Sequence, residues 1–222
     1  MEYAWKMAAI GTPVSLASIV FSFVYMAIMP VISSFGQEAV AALGIGHRME
    51  SFNYAICSGI SLACITMIGQ NLGAGNIKRA SQAAWTAISW ACIINVFVSA
   101  SFWLIPEWYV SFFGNDEGVK ACAVSYLQII AYSQLFSGVC VIVEGVFAGG
   151  GRTIPPMCVS IPCSLLRIPA CYYLIFTAGC GITAVWWTLS LLTILRAILI
   201  FALFVMGFWF SRKTLHAAAA AA

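Results

Sequence analysis

Long apolar runs, separated by short polar breaks, dominate the pattern along this chain. Each run is about twenty residues or longer, which is the length that an α-helix needs to cross the hydrocarbon core of a bilayer. Glycine, asparagine and serine in the breaks are residues that favour turns. The pattern therefore predicts six transmembrane helices, near residues 8–34, 40–70, 80–105, 120–148, 154–177 and 182–210.

Composition supports the same class of protein. Hydrophobic residues make up 63% of the 222 residues and charged residues only 8%, whereas a soluble domain has about 25% charged residues. The net charge of +3 is spread over the loops, so we expect no nucleic-acid partner. The nine cysteines lie mostly inside apolar runs and have no metal-ligand spacing. We predict an all-α polytopic membrane protein that contacts lipid, with any metal site unknown.

The loops differ in charge between the two sides of the predicted bundle. If the N-terminus is cytoplasmic, the outer loops contain one basic residue, Lys120, and six lie inside. The positive-inside rule then places both termini in the cytoplasm, and we expect a multi-pass protein of a prokaryotic inner (plasma) membrane. We expect residues 1–213 to form a single lobe and the alanine-rich residues 214–222 to be an added tail. The inner basic residues are Lys6, Lys78, Arg79, Arg152, Arg212 and Lys213.

Six short motifs follow one another in the order known from one transporter family. Together they resemble the multidrug and toxic compound extrusion (MATE) transporters of the MOP superfamily, and in particular a single six-helix lobe like the C-terminal half. The glycine-bearing stretches after the second and fourth predicted spans are examples of these motifs. The motifs lie at residues 5–13, 41–52, 69–75, 144–153, 167–169 and 207–209.

This resemblance implies a secondary active transporter, an antiporter that uses a Na⁺ or H⁺ gradient for multidrug efflux of small organic cations and other xenobiotics. The family has two lobes, so the resemblance implies a half-transporter that pairs as a homodimer or with a second half-size chain. The first predicted span lacks the acidic residue that many members have there, since residues 20–24 are Val-Phe-Ser-Phe-Val. This difference leaves the position of the cation site open.

Other functions remain as alternatives. A flippase for a lipid or a lipid-linked oligosaccharide belongs to the same superfamily, and a non-transporting membrane partner or a fragment of a full-length transporter is also compatible with one lobe. The sequence contains no HExxH, no GxSxG and no pair of aspartates at membrane depth. We therefore predict no enzymatic activity, no catalytic residues and no cofactor besides the coupling ion.

Ionisable residues inside the predicted spans are the first candidates for an ion or substrate pathway, because charge at membrane depth is costly. Counting 1.5 Å per residue places Glu50 and Arg167 at similar depths, roughly 15 Å from the outer ends of their helices. Glu50 is therefore a structural ion-pair partner of Arg167 or Arg196, a cation-responsive carboxylate that lines a cleft, or a group exposed to a water-filled vestibule. The remaining charged candidates are His47, Arg48 and Glu144. For Glu144, a solvated helix end or a pair with Arg152 is the alternative.

Helical spacing groups the polar candidates into faces. His47, Glu50, Asn53 and Tyr54 share one face of the second span, and Arg48 does not. On the fourth span, we expect the polar groups to point inward, either as interhelical hydrogen bonds or as a cleft lining. These groups are Gln128, Tyr132, Gln134 and Ser137, and Asn95 on the third span is expected to join helices. Prolines at 13, 155, 156, 162 and 169 predict kinks in the first and fifth spans.

Overall fold

The computed structural model describes residues 2–114 and 116–209, with side chains from residue 11 onward. Six helical segments are long and apolar enough to cross a membrane, which confirms the predicted number and order of spans. Asn115, the predicted end of the last span, the basic residues 212 and 213 and the tail 214–222 lie outside the described residues, and so do the side chains of Trp5 and Lys6. The six segments are 11–33, 37–73, 77–104, 117–149, 154–177 and 182–205.

The described part of the chain is a bundle of α-helices joined by short turns. The turns at 74–76, 150–153 and 206–209 lie at the end of the bundle where the chain begins, which we call the first end. The turns near 34–36, 105–116 and 178–181 lie at the second end. The helices are α1 Glu2–Ser33, α2 Gln37–Gly73, α3 Ile77–Leu104, α4 Pro106–Ser111, α5 Glu117–Gly149, α6 Ile154–Leu165, α7 Arg167–Tyr172, a π-helical turn Tyr173–Thr177, and α8 Ile182–Val205.

Turn chemistry sets where the long helices end. Gly75 and Gly151 adopt φ values of 76° and 68°, a left-handed conformation that side-chain-bearing residues rarely adopt. At the second end, the Asp116 carboxylate accepts hydrogen bonds from the backbone N–H groups of Gly118 and Val119 and so caps α5. The short aromatic helix α4 lies before this cap and has Trp108 exposed.

Helix α5 is the centre of the bundle. In its most apolar window 61% of the residues are buried, against 22–33% in the other five spans. Small residues let α2 approach it closely: Gly46 packs on the ring of Tyr126, and a Cβ atom at Gly149 would lie 2.8 Å from the backbone oxygen of Ile65. Close backbone approach through glycine is a common way to pack transmembrane helices.

The bundle has two apolar cores, one at each end. The core at the second end includes buried residues of α1, α2, α5 and α8, such as Ile28, Leu43 and Trp186. The core at the first end is built by α2, α3, α5 and α8, with Ile68 and Val146 at zero exposure. No described side chain of α1 belongs to the first-end core. Helix α1 packs on α6 and α7 instead. We call α1 and α6 the α1–α6 wall. A space remains between this wall and helices α2, α5 and α8.

Prolines affect the two proline-bearing spans differently. The fifth span is broken at Leu166, which separates α6 from α7. Pro169 has no N–H to donate to the carbonyl of Leu165 four residues earlier, and its ring crowds that carbonyl. The predicted kink is therefore confirmed in the fifth span. In the first span, the helix runs through Pro13 and Pro30 without interruption, so a break there was not found.

Candidate functional site

A cleft of about 890 Å³ occupies the space between the α1–α6 wall and helices α2, α5 and α8. It extends from Tyr25 and His47, near the middle of the lobe, to Pro13 and Ala148 at the first end. The apolar core at the second end closes it on the other side. The ionisable and hydrogen-bonding side chains of the cleft include Tyr25, His47, Glu50, Asn53, Gln134, Ser137, Glu144, Ser160, Arg167, Thr193 and Arg196.

Glu50 lies in this cleft with neutral partners. Its Oε1 atom accepts hydrogen bonds from the Tyr126 hydroxyl at 3.5 Å and from Gln134 Nε2 at 3.4 Å. Both distances are long for charge-assisted hydrogen bonds, which are usually about 2.5–2.9 Å. Between residues 11 and 209, no Lys, Arg or His nitrogen lies within 4.0 Å of this carboxylate. An ion pair of Glu50 with Arg167 or Arg196, one of the alternatives left open by the sequence, is therefore not formed among the described residues.

A buried amide network joins α2, α3 and α5 directly beside Glu50. Asn53 Nδ2 donates to Asn95 Oδ1 at 2.7 Å and to Gln134 Oε1 at 3.0 Å. Asn95 Nδ2 donates to the sulfur of Cys57 at 3.3 Å and to its own helix at Ala91. These contacts confirm that Asn95 joins helices, and they show that Gln134 both holds α5 to α2 and lines the cleft.

The predicted polar face of α2 is also confirmed. His47, Glu50, Asn53 and Tyr54 all line the cleft. The His47 ring meets the Tyr25 ring edge-on, with 4.6 Å between ring centroids. This aromatic contact links α1 to α2 close to the closed end of the cleft.

Nearer the first end, Glu144 and Arg196 form an ion pair. Arg196 Nη2 lies 2.6 Å from Glu144 Oε1, and both side chains keep a minor exposed fraction. Ser160 on α6 completes a triangle, because its hydroxyl donates to Glu144 at 3.0 Å and accepts from Arg196 Nε at 3.1 Å. The carboxylate partner of Arg196 is therefore Glu144, one of the residues predicted for the pathway.

Arg167 is the most deeply buried charge of the cleft. It is only 3% exposed, and its Nη2 donates to Thr193 Oγ1 at 2.8 Å. A longer contact of 3.5 Å joins Nη1 to the Tyr25 hydroxyl. The guanidinium also faces the rings of Phe21 and Tyr25 at 5.7 and 6.0 Å. Within the described part of the chain these partners are all uncharged.

Three predicted site residues lie outside the cleft. Gln128 and Tyr132 are exposed on another face of α5, where Tyr132 stacks on Trp187 of α8 at 5.7 Å. Tyr132 is two residues from Gln134, which corresponds to about 200° around a helix, so both cannot face one cleft. Arg48 is displaced from Glu50 by the same angle and lines a separate groove near Phe113 at the second end.

The prediction missed Ser160 and Thr193, although each contacts an arginine of the cleft. Hydroxyl groups in a membrane helix commonly bond to their own backbone, as Thr193 does to Leu189, so their presence alone does not indicate a site. Spacing could have indicated Thr193, which lies three residues before Arg196 on the continuous helix α8 and therefore shares a helix face with it.

Among the described side chains, the cleft thus combines one carboxylate with uncharged partners, one ion pair and one arginine with no carboxylate within 4.0 Å. No group of three or more His, Cys, Asp or Glu residues suited to a metal ion occurs among the described residues. A single carboxylate with nearby amide and hydroxyl groups can bind a proton or a monovalent cation. The cleft volume is in the range of pockets that hold drug-sized molecules, about 300–1,000 Å³.

Comparison with known proteins shows which family this chain matches. The MatE family profile matches residues 13–173. A probable multidrug resistance protein NorM from Thermotoga maritima is 26% identical over 211 residues, covering 95% of this chain and 46% of the relative. Its counterpart from Pseudomonas aeruginosa is 28% identical over 191 residues, covering 83% and 39%.

Solved structures agree with the sequence comparison in fold. A MOP superfamily transporter from Pyrococcus furiosus superposes with a TM-score of 0.85 at 20% identity, covering 93% of this chain and 47% of that one. The chain therefore spans about half the length of the relatives and structures that it matches, which corresponds to one six-helix lobe.

Proposed function

Because the chain belongs to the MatE family of multidrug and toxic compound extrusion transporters, we propose that it is one lobe of a cation-coupled exporter of organic cations. The observation that carries this proposal is Glu50, a carboxylate in a large cleft with no cationic side chain within 4.0 Å among the described residues. A carboxylate in this setting has the charge and the room to bind a coupling ion or a cationic substrate.

The amide network supports a fixed position for this carboxylate. Gln134 contacts Glu50 on one side and Asn53 on the other, and Asn53 is held by Asn95. A binding group held by a buried, connected network keeps its geometry when the coupling ion leaves. Na⁺ or H⁺ is the coupling ion in this proposal, and each competes with the cationic substrate for the same carboxylate.

We propose that the functional unit contains two lobes, the second of which is another copy of this chain. Transporters with repeated lobes bind substrate between the lobes and move one against the other. The rim of the cleft exposes Tyr54 and Leu62 to 61% and 65%, which leaves apolar surface for a second lobe to cover. A two-fold symmetric pair would place two such clefts face to face.

The proposal is tested by reconstituting the protein in vesicles and measuring ethidium transport under an imposed Na⁺ or pH gradient. The Glu50→Gln variant keeps the shape of the side chain and removes its charge, so we expect gradient-dependent transport to be lost. Glu107→Gln is the matched control, because Glu107 is exposed on α4 outside the cleft. Unchanged gradient-dependent transport in Glu50→Gln would show that Glu50 does not couple transport.

The pairing is tested separately by native mass spectrometry from nanodiscs. A mass of two chains supports the self-paired unit. A mass of one chain, obtained from a preparation that still transports ethidium in vesicles, would overturn self-pairing.

A further inference from the structure

One N–H group of the buried Arg167 guanidinium has no hydrogen-bond partner among the described residues of the cleft. The side chain is 3% exposed, and its Nε atom is buried without any hydrogen-bond partner. Buried polar groups are nearly always paired in native proteins, and a buried charge normally has a counter-ion. A guanidinium left in this state therefore indicates a missing partner.

The carboxylates of the cleft do not supply that partner. Glu144 is engaged by Arg196 and Ser160, and Glu50 is contacted by Tyr126 and Gln134. Thr193, the best-placed partner of Arg167, is neutral, and its own hydroxyl donates to the backbone of Leu189. The aromatic faces of Phe21 and Tyr25 stabilise the positive charge in part, but they leave the Nε–H group unpaired.

We propose that Arg167 forms an anion subsite that takes a carboxylate or phosphate group of the transported molecule. A planar guanidinium offers two parallel N–H groups to such an anion, which is the preferred geometry for these ligands. The Phe21 and Tyr25 rings lie against the same guanidinium and provide a surface for an aromatic or apolar body attached to the anion.

This subsite deepens the proposed transport function, on which it rests, by defining a class of substrate. Glu50 and Arg167 are the two charges of the cleft that have no oppositely charged group within 4.0 Å among the described residues, and each lines the same space. A molecule with a cationic amine and a separate anionic group complements both charges. We infer that amphiphilic zwitterions bind better than simple organic cations of the same size.

The test uses rhodamine B and its ethyl ester, which share one aromatic cation but differ in a free carboxylate. Binding is measured by fluorescence anisotropy with the protein in nanodiscs at neutral pH, and empty nanodiscs correct for partitioning into lipid. We expect the wild-type protein to bind the free acid about tenfold more tightly, the effect of a hydrogen bond to a charged group. Equal affinities for acid and ester in the wild-type protein would overturn the subsite without any variant.

Two variants test whether Arg167 causes the preference for the free acid. Arg167→Gln should reduce the acid-to-ester preference to about one, while the affinity for the ester stays within about twofold. Arg167→Lys keeps the charge but loses the planar fork, so we expect an intermediate preference. A preference that persists unchanged in a folded Arg167→Gln protein would place the anion elsewhere and overturn the assignment.

Glu50→Gln separates this inference from the proposed coupling. If gradient-dependent ethidium transport is lost in Glu50→Gln and the acid preference remains, both proposals are supported. If transport in Glu50→Gln is unchanged while the acid preference remains, only the coupling role of Glu50 fails. If Glu50→Gln loses transport but the wild-type protein binds acid and ester equally, only the anion subsite fails.

Discussion

Arg196 on α8 and Glu144 on α5 form an ion pair at 2.6 Å inside the bundle. Ser160 on α6 contacts both residues, so three helices meet at one charged triangle. Because α6 lies in the α1–α6 wall on one side of the cleft, this triangle is one of the polar links across the cleft. Its strength therefore bears on how firmly that wall is held.

Removing one member of this pair should destabilise the lobe. Glu144→Gln leaves Arg196 without a counter-ion, and we expect the free energy of unfolding to fall by about 1–3 kcal/mol, less than for a fully buried pair because both groups are partly exposed. The double variant Glu144→Gln/Arg196→Gln should recover part of this loss. Denaturant titration in mixed micelles measures the difference, with Glu107→Gln as the control. Additive effects of the two substitutions would contradict a coupled pair.

The amide network should contribute to stability independently of charge. Asn95→Leu keeps the side-chain shape but leaves Asn53 without one of its acceptors, so we expect a loss of about 1–2 kcal/mol. Asn71→Leu is the control, since the Asn71 amide bonds only to its own helix at Met67. Thermal unfolding of the two variants side by side checks this, and equal melting temperatures would contradict an interhelical role.

The close approach of α2 and α5 predicts opposite effects for two alanine substitutions. A Cβ atom at Gly149 would lie 2.8 Å from the carbonyl oxygen of Ile65, whereas a Cβ at Gly59 meets nothing within 4 Å. We expect Gly149→Ala to destabilise by about 1–3 kcal/mol and Gly59→Ala to stabilise the helix by about 0.5–1 kcal/mol. Both are measured by denaturant titration. A neutral Gly149→Ala would mean that the helices can separate without cost.

Water should reach the cleft face of α2 but not the outer face of α3. In a variant without native cysteines, Ser58→Cys places a thiol in the cleft, and Ser89→Cys places one on an exposed face of α3. Thiol reagents act on the thiolate, which forms in water, so a charged methanethiosulfonate should label Ser58→Cys at least about tenfold faster. Similar labelling rates would contradict a water-filled cleft.

The same labelling experiment tests the predicted orientation. Since the cleft extends to the first end, where the chain begins, a cytoplasmic N-terminus means that the cleft opens to the cytoplasm. A membrane-impermeant reagent should then label Ser58→Cys in inside-out vesicles and not in intact cells. Labelling from the outside only would reverse the orientation predicted from the basic residues.

The spans were predictable from the sequence because a helix that crosses a bilayer needs about twenty consecutive, mostly apolar residues. The six apolar runs and the polar face at His47 and Glu50 follow from length and period. The break at Leu166 was indicated by its neighbouring prolines, but proline alone did not distinguish a broken α6–α7 span from the continuous α1.

The ion pairs were not predictable from the sequence, because the depth of a side chain in the membrane is only one of the two coordinates that place it. Glu50 and Arg167 were matched by their distance from the helix ends, yet pairing also needs the rotation of each helix about its axis. That rotation is set by packing, for example by Gly46 against the Tyr126 ring. Helical period alone showed that Tyr132 and Gln134 cannot share one face of α5, but it did not show which of them faces the cleft.

The open side of the cleft has a practical consequence for studying this lobe in isolation. Its lining includes apolar side chains with large exposed fractions, among them Val14 and Leu62 at 50% and 65%. In a bilayer or a micelle, acyl chains will cover the apolar side chains at this open side, since apolar surface of this extent does not stay wet, while water stays at the polar side chains of the cleft. An amphiphile must then displace a lipid or detergent tail to bind in the cleft. Its measured affinity therefore includes the cost of this displacement and will weaken as the detergent concentration rises.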